Sequence, residues 1–101
     1  MPWGAYDGGS TIGAAGSEGG TGLRDEEHAL GARITLGRGG PTAPFAITCG
    51  IYGAMLHTAW ASTEAGGSDM YDAMRARLTS LIENPTGEDY HAMLRRFADD
   101  F

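Results

Sequence analysis

The feature that most constrains the fold is a change of period along the chain. From Phe45 to Trp60 apolar side chains recur at every second residue. From Tyr71 onward Met74, Leu78, Leu81 and Ile82 follow at steps of three and four. Strands followed by helices do not build βαβ units, so the expected class is α+β. The expected architecture is an antiparallel sheet of three to five strands followed by two C-terminal amphipathic helices, with at least one packed on one sheet face.

Within the alternating stretch, Gly50-Ile51-Tyr52-Gly53 reads as a hairpin tip joining strands at about 45–50 and 53–61, with Cys49 across from Ala54. Because the side-chain period of a strand is two, this register sorts the faces. Phe45, Ile47, Cys49, Ala54, Leu56, Thr58 and Trp60 are expected beneath the helices. Ala46, Thr48, Met55, His57 and Ala59 are expected on the other face, whose weak polarity suits a partner. Met55 and His57 are therefore candidate interface or ligand residues.

Earlier strands are expected at about 21–25 and 31–37. A tight connection at Ala29 and Leu30 would set Glu26 opposite Arg33, but it would also turn Asp25 and Glu27 toward the face of Ile34. A longer loop from Asp25 to Gly31 avoids this. Residues 1–20 form a glycine-rich arm ahead of a single domain at 21–101, with a short strand expected around Ser10 to Ala14 and with Trp3 and Tyr6 as anchors on the sheet or on another subunit. The first helix is placed at about 68–83 with Ser68 as its N-cap. A start at Ser62 or Thr63 would carry Gly66 and Gly67 inside the helix at about 1 kcal/mol each. Asn84-Pro85 ends it, and Thr86-Gly87-Glu88-Asp89 matches a capping box opening a second helix at about 87–99.

Composition bounds the function. A chain of 101 residues supports one core, and all seven basic residues are arginine. Without lysine there is no P-loop and no Schiff-base chemistry. A net charge of −6 disfavours nucleic acid as a partner. The sequence has no apolar run long enough to span a bilayer and no leader-like N-terminus, and Cys49 is the single cysteine, so a cytoplasmic location without membrane contact is expected.

The densest polar cluster is Arg24-Asp25-Glu26-Glu27-His28. In a loop, Asp25, Glu26, Glu27 and His28 could gather oxygen and nitrogen ligands. On a strand they divide between two faces, so at most two could share a site; the plainer reading is a solvated loop whose acids pair with Arg24 and Arg33. Cys49 and His57 fall on opposite faces in the expected register, which keeps thiol and imidazole apart. His28, Cys49, His57 and His91 show no zinc-ligand spacing, and no cofactor motif is present. The reading is a small acidic noncatalytic module that self-associates, as a homodimer, and binds a protein partner. The alternative is a small enzyme or ligand-binding protein with a site, metal-assisted or not, near Asp25 to His28 and His57.

Overall fold

The computed structural model describes residues 3–13, 21–39, 44–83 and 90–101, without the side chains of Tyr90 and His91. Five antiparallel strands lie in sequence order, β1 (Trp3–Ala5), β2 (Thr21–His28), β3 (Ala32–Arg38), β4 (Phe45–Ile51) and β5 (Met55–Ala61). Two helices follow, α1 (Glu64–Glu83) and α2 (Tyr90–Asp100). The fold is α+β, with α1 laid across one sheet face. No helix among the described residues is long and apolar enough to cross a membrane.

The core forms between that face and the helices. Ile34, Leu36, Ile47 and Cys49 of the central strands meet Tyr71, Met74 and Leu78 of α1, all essentially without exposure. Leu94 and Phe97 bring α2 onto the same core. Alongside, Arg77 of α1 donates to Asp100 of α2 at 2.9 Å.

The Phe45–Trp60 segment is a hairpin as expected, but in a different register. Its turn is Tyr52-Gly53-Ala54, with Gly53 at φ 78° and the Ala54 N–H donating to the Ile51 carbonyl at 2.9 Å. Cys49 therefore pairs with His57 rather than with Ala54, and Ile51 with Met55. Two contacts set this turn. Ile51 is buried, which a tip residue would not be, and the Tyr52 N–H is spent on the Gly31 carbonyl of the adjacent hairpin. The consequence is an exchange of faces along β5. Met55, His57, Ala59 and Ala61 turn toward the helices, whereas Leu56, Thr58 and Trp60 turn away.

The helix explains why small residues win that contest. Gly67 of α1 sits so close to the sheet that a Cβ there would stand 3.3 Å from Leu36, 3.4 Å from Phe45 and 3.7 Å from Ala61. Such an approach leaves room for Ala59 and Ala61 beneath α1 but not for leucine and tryptophan. The same contact corrects the helix start. Thr63, not Ser68, caps α1, its Oγ1 accepting the Gly66 N–H at 3.0 Å. The two glycines lie inside the helix because one of them is the packing contact.

Two further expectations change. The favoured loop from Asp25 to Gly31 is strand as far as His28, closed by the short turn Ala29-Leu30-Gly31. This turn is one residue longer than the tight connection, so Glu26 pairs with Ile34 and Glu27 with Arg33, which turns Asp25 and Glu27 away from the face of Ile34; a bulge at Leu23 shifts the register only beyond Arg24. Ser10 to Gly13 form turns rather than a strand. The strand of the arm is β1 instead, paired with β2 from Trp3↔His28 to Ala5↔Glu26. Ala14, the helix-ending Asn84-Pro85 and the expected capping box at Thr86 to Asp89 lie outside the described residues.

Candidate functional site

Strand alternation splits the acidic run of β2. Arg24, Glu26 and His28 face α1, and Asp25 and Glu27 face outward. On the helix side, Glu26 accepts the Tyr71 hydroxyl at 2.7 Å and Arg75 at 3.2 Å. Arg24 lies 3.9 Å from the Tyr71 ring centroid and donates to Asp72 at 2.9 Å. Burial, reinforced by the hydrogen bond to Glu26, pushes the Tyr71 phenol well above its ordinary range.

His28 is held from both ends. Its Nδ1 accepts the Leu30 N–H at 3.0 Å, so the ring proton sits on Nε2 and points to Glu83 Oε2 at 2.6 Å. Trp3 packs edge-on against the imidazole at 5.1 Å, and its indole N–H donates to Thr79 at 2.8 Å. The pair resembles a catalytic histidine–carboxylate dyad only in outline. A general base needs a free nitrogen lone pair aimed at substrate, and here the backbone occupies it.

Outward, Asp25 takes a two-pronged grip from Arg33 at 2.9 and 2.7 Å and accepts Thr11 Oγ1 at 2.8 Å. That hydrogen-bonded carboxylate raises the Arg33 guanidinium pKa further. The guanidinium lies 3.5 Å from the Tyr6 ring centroid, so the turn after β1 is fastened to this face. Glu27 accepts the Tyr52 hydroxyl at 2.8 Å. Desolvation first, then this bond, raises the Tyr52 phenol above its usual value. Each candidate in Asp25–His28 is thus spent on holding α1, the N-terminal turn or the β4–β5 turn to β2. No group of three or more metal-ligating side chains occurs among the described residues.

Cys49 and His57, expected on opposite faces, are direct cross-strand neighbours on the helix side of the sheet. Phe97 meets the His57 ring edge-on at 6.1 Å, and His57 Nε2 is buried with no hydrogen-bond partner among the described residues. Burial pushes the Cys49 thiol up to about 12, so proximity does not make it a nucleophile. A testable pH dependence follows. At pH below the ordinary thiol value of 9.0, folded and unfolded chains both hold the proton and stability is complete. Above it, unfolding releases a proton, so stability falls by up to about 1.4 kcal/mol per pH unit. Urea unfolding between about pH 9 and 10 should show this slope, and Cys49→Ala should flatten it. Tyr52 and Tyr71 add to the slope only above their ordinary value of 10.0.

His28 on β2 and His57 on β5 have two strands between them, roughly 14 Å at ordinary strand spacing. The acidic segment and His57 therefore do not converge. A cleft of ≈ 440 Å³ opens near the Leu23 bulge, lined by Leu23, Arg24, Leu36, Glu64, Ala65 and Ser68. Its one candidate-segment residue, Arg24, is already bound to Asp72.

The remaining surface of note is the outward side of β3–β5. A threonine row crosses it, with Thr35 donating to the Thr48 carbonyl at 3.4 Å and the Thr48 and Thr58 hydroxyls 3.2 Å apart. Leu56 is 80% and Trp60 42% exposed on either side of Thr58. Neither β4 nor β5 carries an acidic or basic side chain other than His57. β5 ends the sheet. Its Met55 carbonyl points at β4, 3.0 Å from where a Gly50 Cβ would stand. The backbone N–H and C=O groups of Leu56, Thr58 and Trp60 therefore point out of the sheet. Sequence reasoning missed these three residues, and the signal that identifies them is the smallness of Ala59 and Ala61 opposite Gly67. Family models, curated proteins and solved structures show no significant match to this chain, so the chemistry of these residues is the basis for a functional reading.

Proposed function

We propose that this protein is a small noncatalytic interaction module that self-associates and binds protein through the β5 end of its sheet. The observation that carries the reading is a seven-residue edge strand without Asp, Glu, Lys or Arg, on which Leu56 and Trp60 are exposed. Sheet edges are ordinarily blunted by charge, proline, bulges or a covering element. Apart from His57, which faces the helices, β5 has no acidic or basic residue, and it has no proline and no bulge in its pairing with β4. In a chain of net charge −6, that stretch without carboxylates is where another polypeptide adds with least repulsion, and nucleic acid stays disfavoured. A reducing, cytoplasmic setting suits the lone buried Cys49.

The alternative of an enzyme or ligand site near Asp25 to His28 and His57 has less support. Those side chains occupy separate places in the fold, and the best-formed dyad has both imidazole nitrogens engaged. Sedimentation velocity across the micromolar range tests the leading reading. The wild type should show concentration-dependent association, and Leu56→Lys with Trp60→Lys should remain monomeric at unchanged thermal stability. A wild type that stays monomeric over that range contradicts it.

A further inference from the structure

We infer that the occupant of the β5 edge is β5 of a second copy, paired antiparallel about a two-fold axis at Thr58 so that two five-stranded sheets become one. The inference rests on the association reading above and specifies its geometry.

The first argument is the parity of the edge. Leu56, Thr58 and Trp60 direct their backbone groups outward, and Thr58 is the midpoint of Met55–Ala61. An axis through Thr58 matches all seven residues of one strand with all seven of the other. An axis through any other residue leaves strand ends unpaired.

Side-chain size gives the second argument. On the outward face the axis sets Leu56 against Trp60 of the other copy, an aliphatic–aromatic cross-strand pair of the stabilising kind. On the helix side it sets Met55 against Ala61 and His57 against Ala59, each a large side chain against a small one. The threonine row continues across the axis, Thr58 facing its own counterpart.

Charge selects the copy over other partners. A basic partner would be drawn to the acidic residues of β2, α1 and α2, whereas β4 and β5 carry no Asp, Glu, Lys or Arg and His57 is turned to the helix side. Another copy brings an edge that itself carries no Asp, Glu, Lys or Arg, so its carboxylates lie off the contact. A contact one strand long falls short of the ~1,200–2,000 Å² that stable interfaces bury, so the pairing belongs to the weak, concentration-dependent class.

The test is a charge exchange at the axis, read by sedimentation. Thr58→Glu and Thr58→Arg each place like charges directly opposite in the pair. Each variant alone should therefore weaken association by about tenfold or more, and an equimolar mixture should restore it to near the wild-type level. Circular dichroism of each variant checks that it is folded. As a second readout that needs no variant, mixed isotope-labelled wild-type protein should give intermolecular nuclear Overhauser contacts between Leu56 methyls and the Trp60 indole. If the wild type associates but the mixture gives no restoration, or the intermolecular contacts fall elsewhere, the two-fold pairing is wrong and the association reading stands. If the wild type does not associate at micromolar concentration, both fall.

Discussion

Replacing Phe97 with alanine is expected to cost about 3–5 kcal/mol, as for a fully buried aromatic side chain. That is a large share of the roughly 5–15 kcal/mol that holds a domain of this size together. Phe97 is completely buried, edge-on to His57 and with its ring centroid 4.9 Å from that of Phe101. With Leu94 it brings α2 onto the core, so its loss opens a cavity beside His57, the cross-strand neighbour of Cys49. Urea unfolding should show the full deficit, and the Cys49 thiol should become open to alkylation under native conditions. The Arg77–Asp100 ion pair nearby is a contrasting case. Both partners are more than a third exposed, so Asp100→Asn is expected to change stability by less than about 1 kcal/mol. If Phe97→Ala and Asp100→Asn had equal effects, α2 would be held by its surface and not by the core.

Trp3→Ala should be comparably severe, at about 3–5 kcal/mol, although Trp3 belongs to a three-residue strand near the N-terminus. Its ring is 6% exposed, it closes over His28, and its indole N–H holds Thr79 of α1. Removing it strips the cover from an imidazole whose two nitrogens depend on Leu30 and Glu83. Trp3→Phe keeps the ring and loses only the bond to Thr79, so it should recover most of the stability, to within about 1–2 kcal/mol. Denaturation midpoints of the two variants separate burial from hydrogen bonding. Equal losses would mean the indole N–H outweighs the ring.

The sequence made the fold class legible because period is a property of long stretches. Tyr71, Met74, Leu78 and Leu81 mark the helix, and with Gly67 they are its buried residues in the structure. The alternation from Phe45 likewise marks a hairpin. What the alternation could not convey was which alternate set faces inward, since a one-residue change in the turn inverts it. Leu56 and Trp60 outweigh Ala59 and Ala61 in hydrophobicity, but the space beneath Gly67 is decided by volume, and that constraint comes from a helix remote in sequence. The acidic run was partly legible in the same way. Parity separates Asp25 and Glu27 from Glu26 and His28 on any strand, and Arg24 and Arg33 were identifiable as partners. Their true roles depend on Tyr71, Arg75 and Glu83 of α1, about 45 to 55 residues away. The strand Trp3–Ala5 is too short for any period and is set by one tryptophan.

The account depends on β5 presenting Leu56, Thr58 and Trp60 outward with their amides unpaired in the monomer. Amide hydrogen exchange of β5 at low and high protein concentration tests that directly. At low concentration the amides of Met55, His57, Ala59 and Ala61 should be protected by β4 while those of Leu56, Thr58 and Trp60 exchange rapidly. At high concentration the second set should become protected as well. Protection of Leu56, Thr58 and Trp60 at every dilution, with Met55, His57 and Ala59 exchanging freely, would contradict the register and the open edge together.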